Sequence, residues 1–453
     1  KMMIGIDGEW GLFQRFPAAH KFPWAMTLGA IQDNSLIYEM TSKIAEDCKR
    51  MGIYWDFAPV VDVNTNPANP IIGNRSFGSD INNVIAKGLA YAQGLQDNGV
   101  LASMKHFPGH GDTDTDSHLD LPVVSHNLER LNSVELAPFK ALLDKKIGGV
   151  MVAHLYVPAL EKQSGIPASV SYEVITNLLK KSYQYNGLII TDALNMNAVA
   201  KKFPAGELDL RAFKAGNDIM LFSQDVPNGK ALIKSALEKG EISENRLAES
   251  VKKILKTKYL LGLQNLKSLN PENINEDLNN ASHAELSEKL YSNAITLLKD
   301  EKNLLPLSCS ETYYYLPLEE APFQTFVENL NLGTTVKVIS KNEIAQIPEN
   351  STVIVGFHKD NSTAYKSYKI SQESKDILAE LSKKQNVILD VFGSPYALKD
   401  VDISKISTVL VSYENNDLSM KASAKALLGK TKISGKLPVI VNENLKAGSG
   451  IEK

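Results

Sequence analysis

Six short apolar runs in the first half of the chain constrain its fold more than any other feature. They are Met2–Ile6, Phe57–Val61, Leu101–Met104, Gly149–Ala153, Gly187–Thr191 and Asp218–Phe222. Each is nearly continuous in apolar character, as strands buried on both faces are. Between them lie stretches such as SLIYEMTSKIAEDCKRMG, whose apolar positions recur every three or four residues. Repeated β–α of this kind predicts a parallel sheet. The first five runs end in a chemistry-bearing side chain: Asp7, Asp62, Lys105–His106, His154 and Asp192. In a (β/α)8 TIM-type barrel such ends converge on one face, where active sites are built. Six strand signals stand where a closed barrel has eight, so the expectation is that two further strands precede Lys1.

A chain of 453 residues is long for one domain. The expected division is a catalytic barrel over 1–262, a linker with the start of a connecting helix over 263–285, and a second α/β unit over 286–453. The linker is Asn-rich and loses the strand signal. The helix ELSEKLYSNAITLL opens the second unit, and strands follow at TYYYLPL, VKVIS, STVIVGF, NVILDVF and STVLVSY. This pattern predicts an open α/β/α sandwich. No GxGxxG or P-loop opens a helix there, so no nucleotide cofactor is expected. A net charge of −3 gives no basic footprint for nucleic acid. No apolar run reaches the length of a membrane span. The two cysteines, Cys48 and Cys309, predict no disulfide framework. The sequence opens on a strand-like run with no start methionine. The expectation is that a leader and some structure have been removed or that the numbering starts inside a longer protein, and no compartment is read from this N-terminus.

The stretch KHFPGHGDTDTDSHLDLP, Lys105 to Pro122, holds three histidines and four aspartates. Asp112, Asp114 and Asp116 open like a calcium loop, but Ser117 stands where the turn needs Gly and Val123 where the bidentate Glu belongs. His106 and His110 have the spacing of a metal pair on a helix, but the spacer FPG breaks a helix and Lys105 sets a cation beside them. The third reading is metal-free acid–base chemistry. Lys105 and His106 end a strand as rigid donors, and an imidazole suits proton transfer near neutrality. Asp116, two residues before His118, can hold one tautomer of it. Asp192 in GLIITDALNM is then a nucleophile or charge stabiliser, and a carboxylate facing a general acid is the minimum for glycoside hydrolysis. Asp112 and Asp114 read as turn formers, His154 as a hydrogen-bonded shaping residue, and His20, His126, His283 and His358 as structural.

At these residues the sequence resembles glycoside hydrolase family 3, in its bacterial β-N-acetylhexosaminidase branch. Residues 105–122 match the branch pattern KH-F/I-PGHG-D-T-x-x-D-S-H-x-x-L-P throughout. IDGEWGLFQR, FAPVVDV, IGNRSFG, MVAHL, PASVS, TDALNM and AGND follow the family order, as do AITLLKDEKNLLPL and ISGKLPV in the second unit. Trp10 and Leu12 depart from the family's glycine and arginine. The resemblance implies an exo-acting, retaining β-N-acetylglucosaminidase that uses no metal. In it Asp192 is the nucleophile, His118 the acid/base and Asp116 its partner, with Asp7, Arg15, Arg75, Lys105 and His106 gripping the terminal sugar. Muropeptides or chitin-type oligosaccharides are the implied substrates, and a bacterial periplasm or cell envelope the implied setting. Phosphorolysis within the same family and a sugar-binding barrel without turnover are the alternatives. Oligomeric state is not legible.

Overall fold

The computed structural model describes residues 1–113, 121–360, 363 and 366–453. Asp116 and His118 lie outside the described residues. The chain divides into two compact units, one of residues 1–21, 35–76 and 81–279, the other of 22–34, 77–80 and 280–453. Two short segments from within the stretch read as barrel therefore belong to the second unit.

In the first unit, β1 (Gly5–Ile6), β2 (Trp55–Asp56), β3 (Leu101–Phe107), β4 (Gly149–Val152) and β5 (Leu188–Thr191) form one sheet in chain order. All four pairings are parallel, with Gly5 opposite Trp55, Trp55 opposite Leu101, Ser103 opposite Gly149 and Gly149 opposite Leu188. Every crossover advances one place in the same direction. Right-handed β–α crossovers that never reverse roll a sheet towards a barrel. The helix Ser35–Arg50 shows why the connections are helical. Leu36, Ile37, Met40, Ile44, Ala45 and Cys48 bury one face at helical spacing, and Lys49 and Arg50 stand favourably in the last turn.

Two of the expected strands need correction. The second run pairs as a strand at Trp55–Asp56, two residues before Phe57. Pro59 has no N–H to give a ladder, so 57–61 continues only through separate bonds such as Ser103 N–H to Ala58 O and Val61 N–H to Lys105 O. The sixth run, 218–222, joins the sheet through a single bridge between Ile190 and Ile219. Trp55, Phe57, Met151, Leu188 and Ile190 form one buried apolar cluster of this unit.

The second unit has β6 (Thr296–Asp300), β7 (Thr312–Leu318), β8 (Thr335–Val338), β9 (Thr352–His358), β10 (Asn386–Phe392) and β11 (Thr408–Val411), in the order β6-β11-β10-β9-β7-β8. Here the direction reverses between β7 and β9, the mark of a doubly wound sheet. The expected helix through ITLL ends at Ala294. Residues 296–300 are instead the edge strand β6, antiparallel to β11. The β-branched Ile295 and Thr296 lie where helix gives way to strand. Tyr315, Phe326, Ile354, Ile388, Phe392 and Leu410 are buried in its core. His358 is structural: its ring stacks on Phe392 at 4.6 Å, and burial pushes it down to about 4.

The segment 22–34 is tied to this unit by the buried Glu414, whose Oε1 accepts from Trp24 N–H at 2.9 Å and Thr27 hydroxyl at 2.8 Å. Gly29 makes a close approach, since a Cβ there would lie 2.2 Å from Phe77 O and 2.8 Å from Pro438 Cβ. Gly29→Ala is expected to destabilise this unit by about 1–3 kcal/mol through overpacking. An unchanged calorimetric melting profile would refute the close approach.

Candidate active site

The site grows from the carboxyl ends of β1, β3 and β5. Lys105 lies in β3 with its side chain only 2% exposed, and its ammonium is shared by Asp7 Oδ1 and Glu9 Oε1, each at 2.8 Å. Glu9 also takes a two-pronged bond from Arg75, Nε to Oε2 at 2.8 Å and Nη2 to Oε1 at 2.7 Å. Arg15 Nη2 reaches the other oxygen of Asp7 at 2.5 Å. These groups fix one another's charge states. Burial pushes Glu9 up, but Arg75 and Lys105 outweigh it and hold the carboxyl far below the usual range. Burial likewise opposes the Lys105 ammonium, and Asp7 and Glu9 drive it well above its ordinary value despite Arg75. Asp7 sits below the usual carboxylate range because Lys105 and Arg15 outweigh burial and Glu9.

His106 is oriented from the other side by the fully buried Asp62. That carboxylate accepts His106 Nδ1 at 2.7 Å, the His106 amide at 3.2 Å and the His110 amide at 2.7 Å. An ionised carboxylate can only accept, so Nδ1 carries the proton and Nε2 faces Arg75 Nη2 at 3.4 Å. Gly111 permits this path, since a Cβ there would lie 1.9 Å from Val63 O. Burial, reinforced by His106, pushes the enclosed His110 down to about 4.

Asp192 follows β5, partly exposed, with Oδ1 accepting the Ala193 amide at 2.8 Å. Burial pushes its carboxyl up, but His154, His106, the Ala193 amide and Lys105 together hold it below the usual range. His154 shapes this turn. Its Nε2–H donates to Ala193 O at 3.0 Å, which leaves Nδ1 to accept the Ser169 hydroxyl at 2.7 Å.

Of the residues singled out by sequence, the structure brings Asp7, Arg15, Arg75, Lys105 and His106 into one hydrogen-bonded network, and Asp192 lies within the electrostatic reach of His106 and Lys105. Glu9 was missed, although it stands two residues after Asp7 in IDGEWG. Asp62 was seen as a strand-end acid but not joined to the site. His126, read as structural, hydrogen-bonds through Nε2 to Asp112 Oδ2. With Glu135 this pair is the group of three potential cation ligands among the described residues, their ligand atoms within 4.8 Å. The Arg130 guanidinium supplies positive charge there, 3.1 Å from Glu135 Oε1 and 3.9 Å from Asp112 Oδ2.

The network makes Glu9 the more costly carboxylate to neutralise. Its side chain is 6% exposed, against 21% for Asp7. Glu9→Gln, which leaves Arg75 and Lys105 undercompensated, is expected to cost about 3–5 kcal/mol in denaturant unfolding, and Asp7→Asn less. The Glu9 contribution is complete above the ordinary glutamate range and is lost only as pH falls far below it. Equal stability of Glu9→Gln and wild type at neutral pH would contradict this account.

The chain's likeness to known proteins agrees with this geometry. Residues 1–257 match the model of the glycosyl hydrolase family 3 N-terminal domain. Beta-hexosaminidase A of Pseudoalteromonas piscicida is 32% identical over 97% of this chain and 83% of its own length. A beta-N-acetylglucosaminidase/beta-glucosidase of Cellulomonas fimi is 25% identical, again over 97% and 83%. The solved structure of a glycoside hydrolase family 3 beta-N-acetylglucosaminidase from Paenibacillus sp. str. FPU-7 superposes with a TM-score of 0.78 at 31% identity, covering 97% of this chain and 86% of that one. A shared family across nearly the full length accounts for both the α/β barrel architecture and the polar strand ends: this chain is an enzyme of glycoside hydrolase family 3.

Proposed function

We propose that this glycoside hydrolase is an exo-acting, retaining β-N-acetylglucosaminidase that releases terminal N-acetylglucosamine from muropeptides or chitin-type oligosaccharides. The observation that carries the reading is the meeting of ionised donors and acceptors at the ends of β1, β3 and β5, in a chain akin to proteins named as hexosaminidases. Neutral sugars are bound by charge-assisted hydrogen bonds from rigid positions. Asp7 offers a partly exposed carboxylate, steadied from behind by Lys105 and Arg15. In the proposed reaction Arg75, Lys105 and His106 complete the grip on the terminal sugar.

The Asp192 carboxylate attacks the anomeric carbon, and His118 delivers a proton to the departing glycosidic oxygen. The glycosyl–Asp192 ester then yields to a water that loses its proton to His118, so two inversions retain the configuration. Asp116 holds the imidazole tautomer and balances the imidazolium. A low carboxyl pKa suits the nucleophile, which must be ionised before attack.

The test compares chromogenic β-N-acetylglucosaminides with the matching β-glucosides. Wild type is expected to prefer the acetamido sugar, and Asp192→Asn to abolish turnover. His118→Ala should lower kcat/KM by about 10²–10⁴ for a poor leaving group and far less for a good one. Equal or faster cleavage of the glucoside sinks the sugar assignment, and a flat leaving-group response in His118→Ala sinks the acid/base assignment. Turnover is expected to survive chelation, and its loss would point to metal-assisted hydrolysis.

A further inference from the structure

Asp56 ends β2 against the Asp7–Glu9 turn and has no part in the chemistry above. It is wholly buried. Its Oδ1 accepts the Gly8 N–H at 2.9 Å, whereas Oδ2, equally enclosed, has no hydrogen-bond partner. The Tyr91 hydroxyl lies 3.1 Å from both the Gly8 and Glu9 carbonyl oxygens. The backbone between the two site carboxylates is thus held by an acid at one point and a phenol at another. The fit is close, since a Cβ at Gly8 would lie 3.2 Å from either Asp56 oxygen.

The groups facing Asp56 do not favour its ionisation. Asp7 and Glu9 present two carboxylates, while Cys48 and Tyr91 are kept neutral by burial, from the helices Ser35–Arg50 and Ile81–Asp97. Lys105 supplies a cation, but its ammonium is already divided between Asp7 and Glu9. A buried carboxylate with one amide donor and an orphaned oxygen is costly, so such a group retains its proton. Burial outweighs the Gly8 amide and Lys105 and, with Asp7 and Glu9, pushes Asp56 up to about 7.

We propose that Asp56 is a positioning residue for the sugar site, acting as a neutral acid that seats the Gly8 amide and so sets the Asp7 and Glu9 carboxylates against Lys105. Ionisation places a third buried carboxylate beside two that share one ammonium, and repulsion loosens Asp7. The fold is stabilised by this acid below the ordinary aspartate range, and that stabilisation is lost as pH rises through about 7. Sugar affinity falls with it. The affinity arm of this inference rests on the sugar-binding reading of Asp7.

The experiment is calorimetric titration with N-acetylglucosamine from about pH 6 to about pH 9, beside ligand-free melting over the same range, for wild type, Asp56→Asn and Asp56→Ala. Wild-type affinity is expected to fall about tenfold across the range. Asp56→Asn, neutral and still able to accept from Gly8, should hold its affinity and gain in melting temperature over wild type as pH rises. Asp56→Ala, with no acceptor for that amide, should bind weakly at every pH. An Asp56→Asn profile that tracks wild type, or wild-type binding by Asp56→Ala, overturns the proposal. Absence of binding by wild type at every pH counts against the sugar reading instead, and the melting comparison still decides the role of Asp56. Should Asp56→Asn not fold, the wild-type Gly8 amide resonance is expected to titrate with a midpoint near 7, and a resonance that does not move overturns the proposal.

Discussion

One ammonium group organises the site. Lys105 is almost wholly enclosed, and its charge is divided between Asp7 and Glu9 at equal distance. Glu9 passes the constraint on to Arg75, and Asp7 passes it to Arg15. Burying this many charges is not a net source of stability, because each has given up its water. What it provides is orientation: no member can move without stranding another. The sheet holds the backbone to match, since Lys105 N–H bonds to Pro59 O and Lys105 O accepts from Val61 N–H. The same strand then delivers His106 to Asp62 and Arg75, so a single crossover fixes donors on two sides of the site.

The two units share a β–α alternation yet curl differently. In the first, each strand is added beside its predecessor and the polar ends gather on one face. In the second, the order turns back at β7 and β9, and the edge strand β6 runs the other way. Apolar runs of the same composition serve both. The difference lies in the direction in which each crossover returns, which single-residue patterns do not encode.

That limit explains which parts of the molecule were legible from sequence. The runs at 101, 149 and 187 map onto β3, β4 and β5 within a few residues, because a strand buried on both faces has a continuous apolar signature. The second run was displaced because Pro59 interrupts the ladder inside an otherwise strand-like segment. The start of β6 was read as helix because Leu297 and Leu298 continue the apolar spacing of the preceding helix. Lys105, His106 and Asp192 could be found because they end such runs. Glu9 could not, because the partner that gives it meaning, Arg75, lies 66 residues away. The pairing of His126 with Asp112 is hidden in the same way: both residues look ordinary until the chain brings them together.

The charge pattern that results is nearly independent of pH around neutrality. Asp7, Glu9, Asp62 and Asp192 all have their carboxyls held below the ordinary range, and Lys105 is held above its own. Each is surrounded by partners that favour its charged form, so modest acidification or alkalinity leaves these charges in place. Asp56 breaks the pattern, being the acid of this cluster with an orphaned oxygen and no cation of its own. A site whose other charges are pinned has its response to pH concentrated in such an exception, and this one touches the backbone from which Asp7 and Glu9 project.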